Sequence, residues 1–157
     1  MPAAKVVIVT PAPPGSRAGN RKTAIRWAQF LRDFGCRVSV LTQWAGEPCD
    51  LLVALHASKS HDALRAFRES HPDRPAVLAS TGTDIYRDIR QDRDAAASLE
   101  MATRLIVLQK EALEELTRKQ RRKARVIHQS VTSSLVPVPP VRKFRLCVLG
   151  HLREEKD

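Results

Sequence analysis

Several short apolar runs in this chain end in turns whose residues could hold a ligand. The first is the richest. Val6-Val7-Ile8-Val9 breaks into a loop with Pro11, Pro13, Pro14, Gly15 and Gly19, and a helical pattern opens near Asn20 and runs through Trp27, Phe30 and Leu31. Strand, glycine loop and helix together turn unpaired backbone N–H groups toward an anion. Gly15 and Gly19 permit a close backbone approach or a positive φ, and Arg17, Arg21 and Lys22 add charge beside them. An ordinary strand-to-helix turn is the plain alternative. The spacing is neither G-x-G-x-x-G nor a Walker A loop, so neither dinucleotide binding nor NTP hydrolysis is indicated.

Three further polar groups follow apolar runs. His56 ends Asp50-Leu51-Leu52-Val53-Ala54-Leu55, a run suited to a strand buried on both faces. A histidine there either packs and hydrogen-bonds or acts as a catalyst. Ser80-Thr81-Gly82-Thr83-Asp84 closes the strand candidate Pro75–Ala79, and Asp84 serves either a ligand or as a helix cap. Gln129-Ser130 follows the strand candidate Arg125–His128.

The elements that position these groups alternate. Helical spacing marks Ala24–Phe34, with Ile25, Ala28 and Leu31 on one stripe, and Gly35 ends it. Arg37–Leu41 reads as a strand, and Ser58–Glu69 as a helix facing Ala63, Leu64 and Phe67 inward. Asp94–Ala102 and Glu111–Lys119 read as helices flanking the strand Arg104–Leu108. Such alternation specifies an α/β, Rossmann-like, doubly wound and mostly parallel sheet. Ligands of such sheets sit at the carboxyl ends of the strands, near the point where strand order reverses. The Gly15–Asn20 loop, His56, the Thr81–Asp84 turn and Gln129-Ser130 all fall on that rim. Their convergence points to a ligand cleft.

Composition bounds the rest. The chain has 157 residues, 43% of them hydrophobic and only 4% aromatic, so its core is built from Val, Leu, Ile and Ala. No apolar run approaches a membrane span and no signal-peptide pattern opens the chain. Cys36, Cys49 and Cys147 form no C-x-x-C pair, which reads as reduced, buried thiols in a cytoplasmic protein without a zinc site. A net charge of +10 predicts attraction to polyanions or phosphorylated small molecules. The run Arg118-Lys119-Gln120-Arg121-Arg122-Lys123-Ala124-Arg125 is either a nucleic-acid patch or the solvated end of a helix. No aromatics interleave it for base stacking.

Residues 133–143 are rich in proline and read as a linker, after a Rossmann-like domain over residues 1–132. Residues 144–157 read as the first strand and loop of a second domain, so the chain is expected to be an N-terminal half.

In this order of elements the chain resembles the glycosyltransferases of GT-B fold, from Lys5 to Asp157. Gly15 and Gly19 match the glycine loop after that family's first strand, and Asp50–His56 matches a strand that commonly ends in histidine. Thr81-Gly82 sits where many members carry His-Gly, and Val126–Val131 where they carry a strand followed by Pro-Asn-Gly-Val. Gly150–Asp157 is similar to a Gly-Arg-Leu…Lys-Gly turn that meets the donor diphosphate; Lys156 matches it, His151 replaces its Arg, and Arg153 lies two positions on.

The segments GNRKTAIRWAQFLR, ALHASKS, TGTDIYRDI, SLEMATRLIVLQ, VIHQS and GHLREEKD resemble one subgroup, the selenosugar synthases of selenoneine biosynthesis. The resemblance implies transfer of a sugar from a UDP-sugar, such as UDP-N-acetylglucosamine, to selenophosphate, with no cofactor. It implies binding of substrate by Gly15, Gly19, Asn20, Arg21, Thr81, Gly82, Thr83, Asp84, Gln129 and Ser130. It also implies that Arg153 and Lys156 stabilise the departing diphosphate, with His56 in the catalytic set. No metal ligand is assigned. An ordinary GT-B glycosyltransferase with a hydroxyl acceptor and a basic nucleic-acid-binding α/β protein are the competing readings.

Overall fold

A computed structural model describes residues 2–82 and 84–130. Thr83, the linker, Arg153, Lys156 and the expected second domain lie outside the described residues.

Six strands, β1 (Lys5–Val9), β2 (Arg37–Leu41), β3 (Leu51–Leu55), β4 (Ala76–Ala79), β5 (Arg104–Val107) and β6 (Ala124–Val126), form one sheet. Its order is β2-β1-β3-β4-β5-β6, and every adjacent pair is parallel. The expected Rossmann-like, doubly wound architecture is therefore what the chain adopts. Strand order reverses at β1, so the crevice of such a sheet opens between the carboxyl ends of β1 and β3.

Alternation along each strand divides the core. Val7, Val9, Leu52, Ala54, Leu78 and Leu105 face one side, under α2 (His61–Ser70) and α4 (Arg93–Met101). Ala63, Leu64 and Phe67 are the buried residues of α2, as the periodicity predicts, and Phe67 meets the Trp44 ring edge-on at 5.4 Å. Val6, Ile8, Val53, Leu55 and Ala79 face the other side, under α1 (Gly19–Asp33). Ile25 departs from expectation: the inward stripe of α1 is Thr23, Ala24 and Ala28, with Trp27 and Leu31 beside it, and Ile25 is 47% exposed. It sits one residue past Ala24, about 100° around the helix from the buried stripe.

Between β4 and α4 the chain makes a π-helical turn, Asp84–Asp88, running into a short α3 (Ile89–Gln91) that the sequence pattern did not show. The expected helix over 111–119 is instead a 3₁₀ turn at Glu111–Leu113 and a separate α5 (Arg118–Lys123). The reason is a capping box, in which Thr117 and Gln120 satisfy each other's backbone N–H groups and start a new helix. The basic run is thus a helix of its own, leading into β6. Cys49 is buried and Cys36 half-buried, both as thiols; Cys147 lies outside the described residues. No helix among the described residues is long and apolar enough to cross a membrane.

Candidate ligand site

The parallel sheet places the residues after β1, β3, β4 and β6 on one rim, as the alternation predicts. They form two groups with different chemistry.

The first group surrounds the start of α1. Gly15 has φ +79°, a left-handed conformation that favours glycine, and it turns the loop back after Pro14. Gly19 needs no such freedom; it is the first residue of α1. Ser16 Oγ accepts from the Ala18 N–H at 3.1 Å, but no side chain caps α1 and no acidic residue occupies its first turn. The positive end of the helix dipole is therefore uncompensated. Arg21 and Lys22 stand in this turn, with Asn20 half-buried before them. With Arg26 they border a groove of about 660 Å³ that reaches Gly15 and Ser16.

Two side-chain atoms are buried without a hydrogen-bond partner among the described residues: Thr10 Oγ1, just past β1, and one terminal guanidinium nitrogen of Arg21. Thr10 is fully buried and shares the parity of Val6 and Ile8, which face α1. A buried donor left unpaired costs about 1–3 kcal/mol, and more when charged. Sequence reasoning passed over Thr10; its one signal was a polar residue directly after Val6–Val9.

Gln129 and Ser130 join this group although β1 and β6 lie far apart in the sheet. Ile127 continues alongside β5, its N–H donating to the Val107 carbonyl at 2.9 Å. The chain then crosses back to α1, where Gln129 Nε2 donates to Thr23 Oγ1 at 3.0 Å and Arg26 Nε to Ser130 Oγ at 3.1 Å.

The second group joins β3 to β4. Asp84 is fully buried. Its Oδ1 accepts from the N–H groups of Thr81 and Gly82 at 3.0 and 2.9 Å, and its Oδ2 from the Ala57 N–H at 3.0 Å. The carboxylate is thus spent on backbone inside the fold, as are the N–H groups of Thr81 and Gly82. His56 is 6% exposed and takes φ +80°, a strained conformation for a side chain with a Cβ. The surroundings hold it there: its N–H donates to Ala79 O at 2.9 Å, Ser60 N–H donates to its carbonyl, and the Lys59 N–H approaches Nδ1 at 3.4 Å. Its Nε2 lies 3.8 Å from Asp88 Oδ2. Nearby, Ser58 Oγ donates to Asp92, which also caps α4 through the Asp94 and Ala95 N–H groups. That hydroxyl bond, with the cap, holds the Asp92 carboxyl below its usual range.

Burial pushes the His56 pKa below the usual histidine range, and Lys59 adds to the shift, while Asp84, Asp88 and Asp92 oppose it. A folded-state pKa below the unfolded one means that the unfolded chain binds the extra proton first. His56 therefore contributes stability above the ordinary histidine pKa that is lost as pH falls through the folded value. Thermal unfolding measured from neutral to mildly acidic pH is expected to show this loss, and His56→Gln to flatten it. An unchanged pH profile in that variant would assign the loss to another group.

The basic helix is partly committed. Arg121 donates to the Leu116 and Glu114 carbonyls, Lys123 to those of Glu100 and Ala102, and Lys119 pairs with Glu100. Among the described residues no three His, Cys, Asp or Glu side chains are grouped to hold a metal ion. No protein-family model matches the chain, and no curated protein matches it.

Proposed function

We propose that this chain is the acceptor-binding side of a GT-B-type glycosyltransferase that transfers a sugar from a UDP-sugar to selenophosphate. The observation that carries the anion-binding part is the start of α1, an uncapped helix N-terminus whose first turn holds Arg21 with a buried guanidinium nitrogen that has no partner among the described residues. Thr10, just past β1, holds a second such atom. A small tetrahedral anion would satisfy the Arg21 nitrogen, the Thr10 hydroxyl and the helix dipole together. The nature of the acceptor and donor rests on the sequence resemblance.

In the proposed reaction a selenium lone pair forms the C–Se bond at the anomeric carbon. The bond from that carbon to the diphosphate oxygen breaks, and its electron pair leaves with UDP. Arg21 and the α1 N-terminus would hold the phosphoryl oxygens so that selenium points outward, which is catalysis by positioning. Arg153 and Lys156 would stabilise charge on the departing diphosphate. Gln129 and Ser130 are tied to α1 through Thr23 and Arg26, whereas Asp84 and His56 shape the rim from inside. The reading carries a cytoplasmic location with it. A nucleic-acid role for 118–125 is the weaker reading, because Arg121 and Lys123 are tied to carbonyls of their own chain.

The test uses the intact reading frame, including any sequence that follows Asp157. Incubation with UDP-N-acetylglucosamine and selenophosphate is expected to yield UDP and a sugar with a selenium isotope pattern in the mass spectrum. Transfer to hydroxyl acceptors alone would return the protein to ordinary glycosyltransferases. An untouched donor under all conditions would overturn the reading.

A further inference from the structure

A second groove, of about 510 Å³, lies beside α2 at the carboxyl ends of β1 and β2. That is next to the point where strand order reverses, where sheets of this kind hold their ligands. Its size falls within the range of small-molecule sites, about 300–1,000 Å³. Three connections line it: Pro11 follows β1, Thr42, Gln43 and Trp44 follow β2, and Lys59 and Asp62 follow β3. None of these residues belongs to the group at the start of α1.

Two of the lining side chains are already fixed. The Trp44 indole N–H donates to the Glu47 carbonyl at 2.9 Å, and its ring meets Phe67 and His71 edge-on at 5.4 and 5.9 Å. Arg65, which also lines the groove, is paired with Asp62 at 3.3 Å and with Glu69 at 3.6 Å. Thr42, Gln43 and Lys59 differ: among the described residues their side chains have no hydrogen-bond or ion-pair partner. Rigid apolar and cationic parts thus sit beside uncommitted polar ones.

We propose that this groove binds a small polyhydroxylated anion of the sugar-phosphate type. Complementarity sets the class. The Lys59 ammonium only donates and the Asp62 carboxylate only accepts, so the ligand brings an anionic group to one and a hydroxyl to the other. Thr42 and Gln43 both donate and accept, as sugar hydroxyls do. Trp44, Ala63 and Ala66 supply apolar surface for the C–H face of a ring. Bare phosphate leaves Asp62 without a donor, and a neutral sugar leaves Lys59 without an anion. The proposal is independent of the transferase reading, whose anion lies at the start of α1.

The experiment titrates the full 157-residue chain with glucose 6-phosphate and with ribose 5-phosphate, read by NMR at the backbone amides. Saturable shifts are expected at 42–44 and 59–66 with at least one of them. Lys59→Met should weaken binding by about 10-fold, the loss of a hydrogen bond to a charged group, and Thr42→Val by less. Both positions are exposed, so the fold should be kept. Lys5→Gln, at the amino end of β1, should leave binding unchanged. Shifts confined to 15–26 would overturn the proposal by assigning the ligand to the start of α1. Equal shifts with glucose alone or inorganic phosphate alone would do the same, as would no response to either sugar phosphate. An equal loss in Lys5→Gln would also overturn it, leaving only diffuse attraction by the +10 chain.

Discussion

Arg21→Gln is expected to weaken binding of inorganic phosphate to this chain by about 10- to 100-fold, the range of a hydrogen bond to a charged group. Its melting temperature should stay level or rise. The two halves of that result come from one observation. The buried Arg21 nitrogen has no partner among the described residues, so its desolvation brings no return from them. Glutamine removes the charge and with it the cost, but also the strongest contact an anion would make. Thr10→Val should behave alike on a smaller scale, because valine fills the same volume without an unpaired hydroxyl. Lys22, exposed and screened, provides the contrast: Lys22→Gln should cost little. NMR titration with phosphate and thermal melts of the three variants check all of this. Equal losses at Arg21 and Lys22 would mean diffuse attraction by the +10 chain rather than a built site. A lowered melting temperature for Arg21→Gln would mean that the guanidinium is structural.

Asp84→Ala should be the most damaging change on the rim. Removing the carboxylate strands the N–H groups of Ala57, Thr81 and Gly82 together. At about 1–3 kcal/mol for each unpaired buried group, the loss is about 3 kcal/mol or more. For a chain of this length that corresponds to about 6–12 °C in melting temperature. Water entering the space left behind would set the lower end. Asp92→Ala, which loses only a helix cap and one hydroxyl bond, should cost clearly less. If Asp84→Ala melted within a degree or two of the parent, the carboxylate would not be the tie between β3 and β4. A ligand role for Asp84 would then reopen.

The amino-acid sequence by itself determined the architecture. Period-two and continuous apolar runs, broken by Gly and Pro, mark β1 to β5 because strand burial is written locally, in every side chain. The stripe Ala63, Leu64 and Phe67 marks α2 for the same reason. The residues on which the proposed anion site rests were also legible, since the glycine loop and Arg21 are neighbours in sequence.

What tertiary structure decided depends on partners far along the chain. Asp84 looks like a rim ligand or a helix cap until Ala57, 27 residues earlier, is seen to donate to its other oxygen. Thr10 looks like a strand end until its burial without a partner marks it. Gln129 and Ser130 join α1 only because the chain doubles back after β6 to meet Thr23 and Arg26, more than 100 residues away. That no described helix covers the sheet face at Val77 and Ile106 is likewise invisible in the strands, because these residues have the same apolar character whether or not a helix lies over them. Apolar pattern records that a residue is buried. It does not record against what.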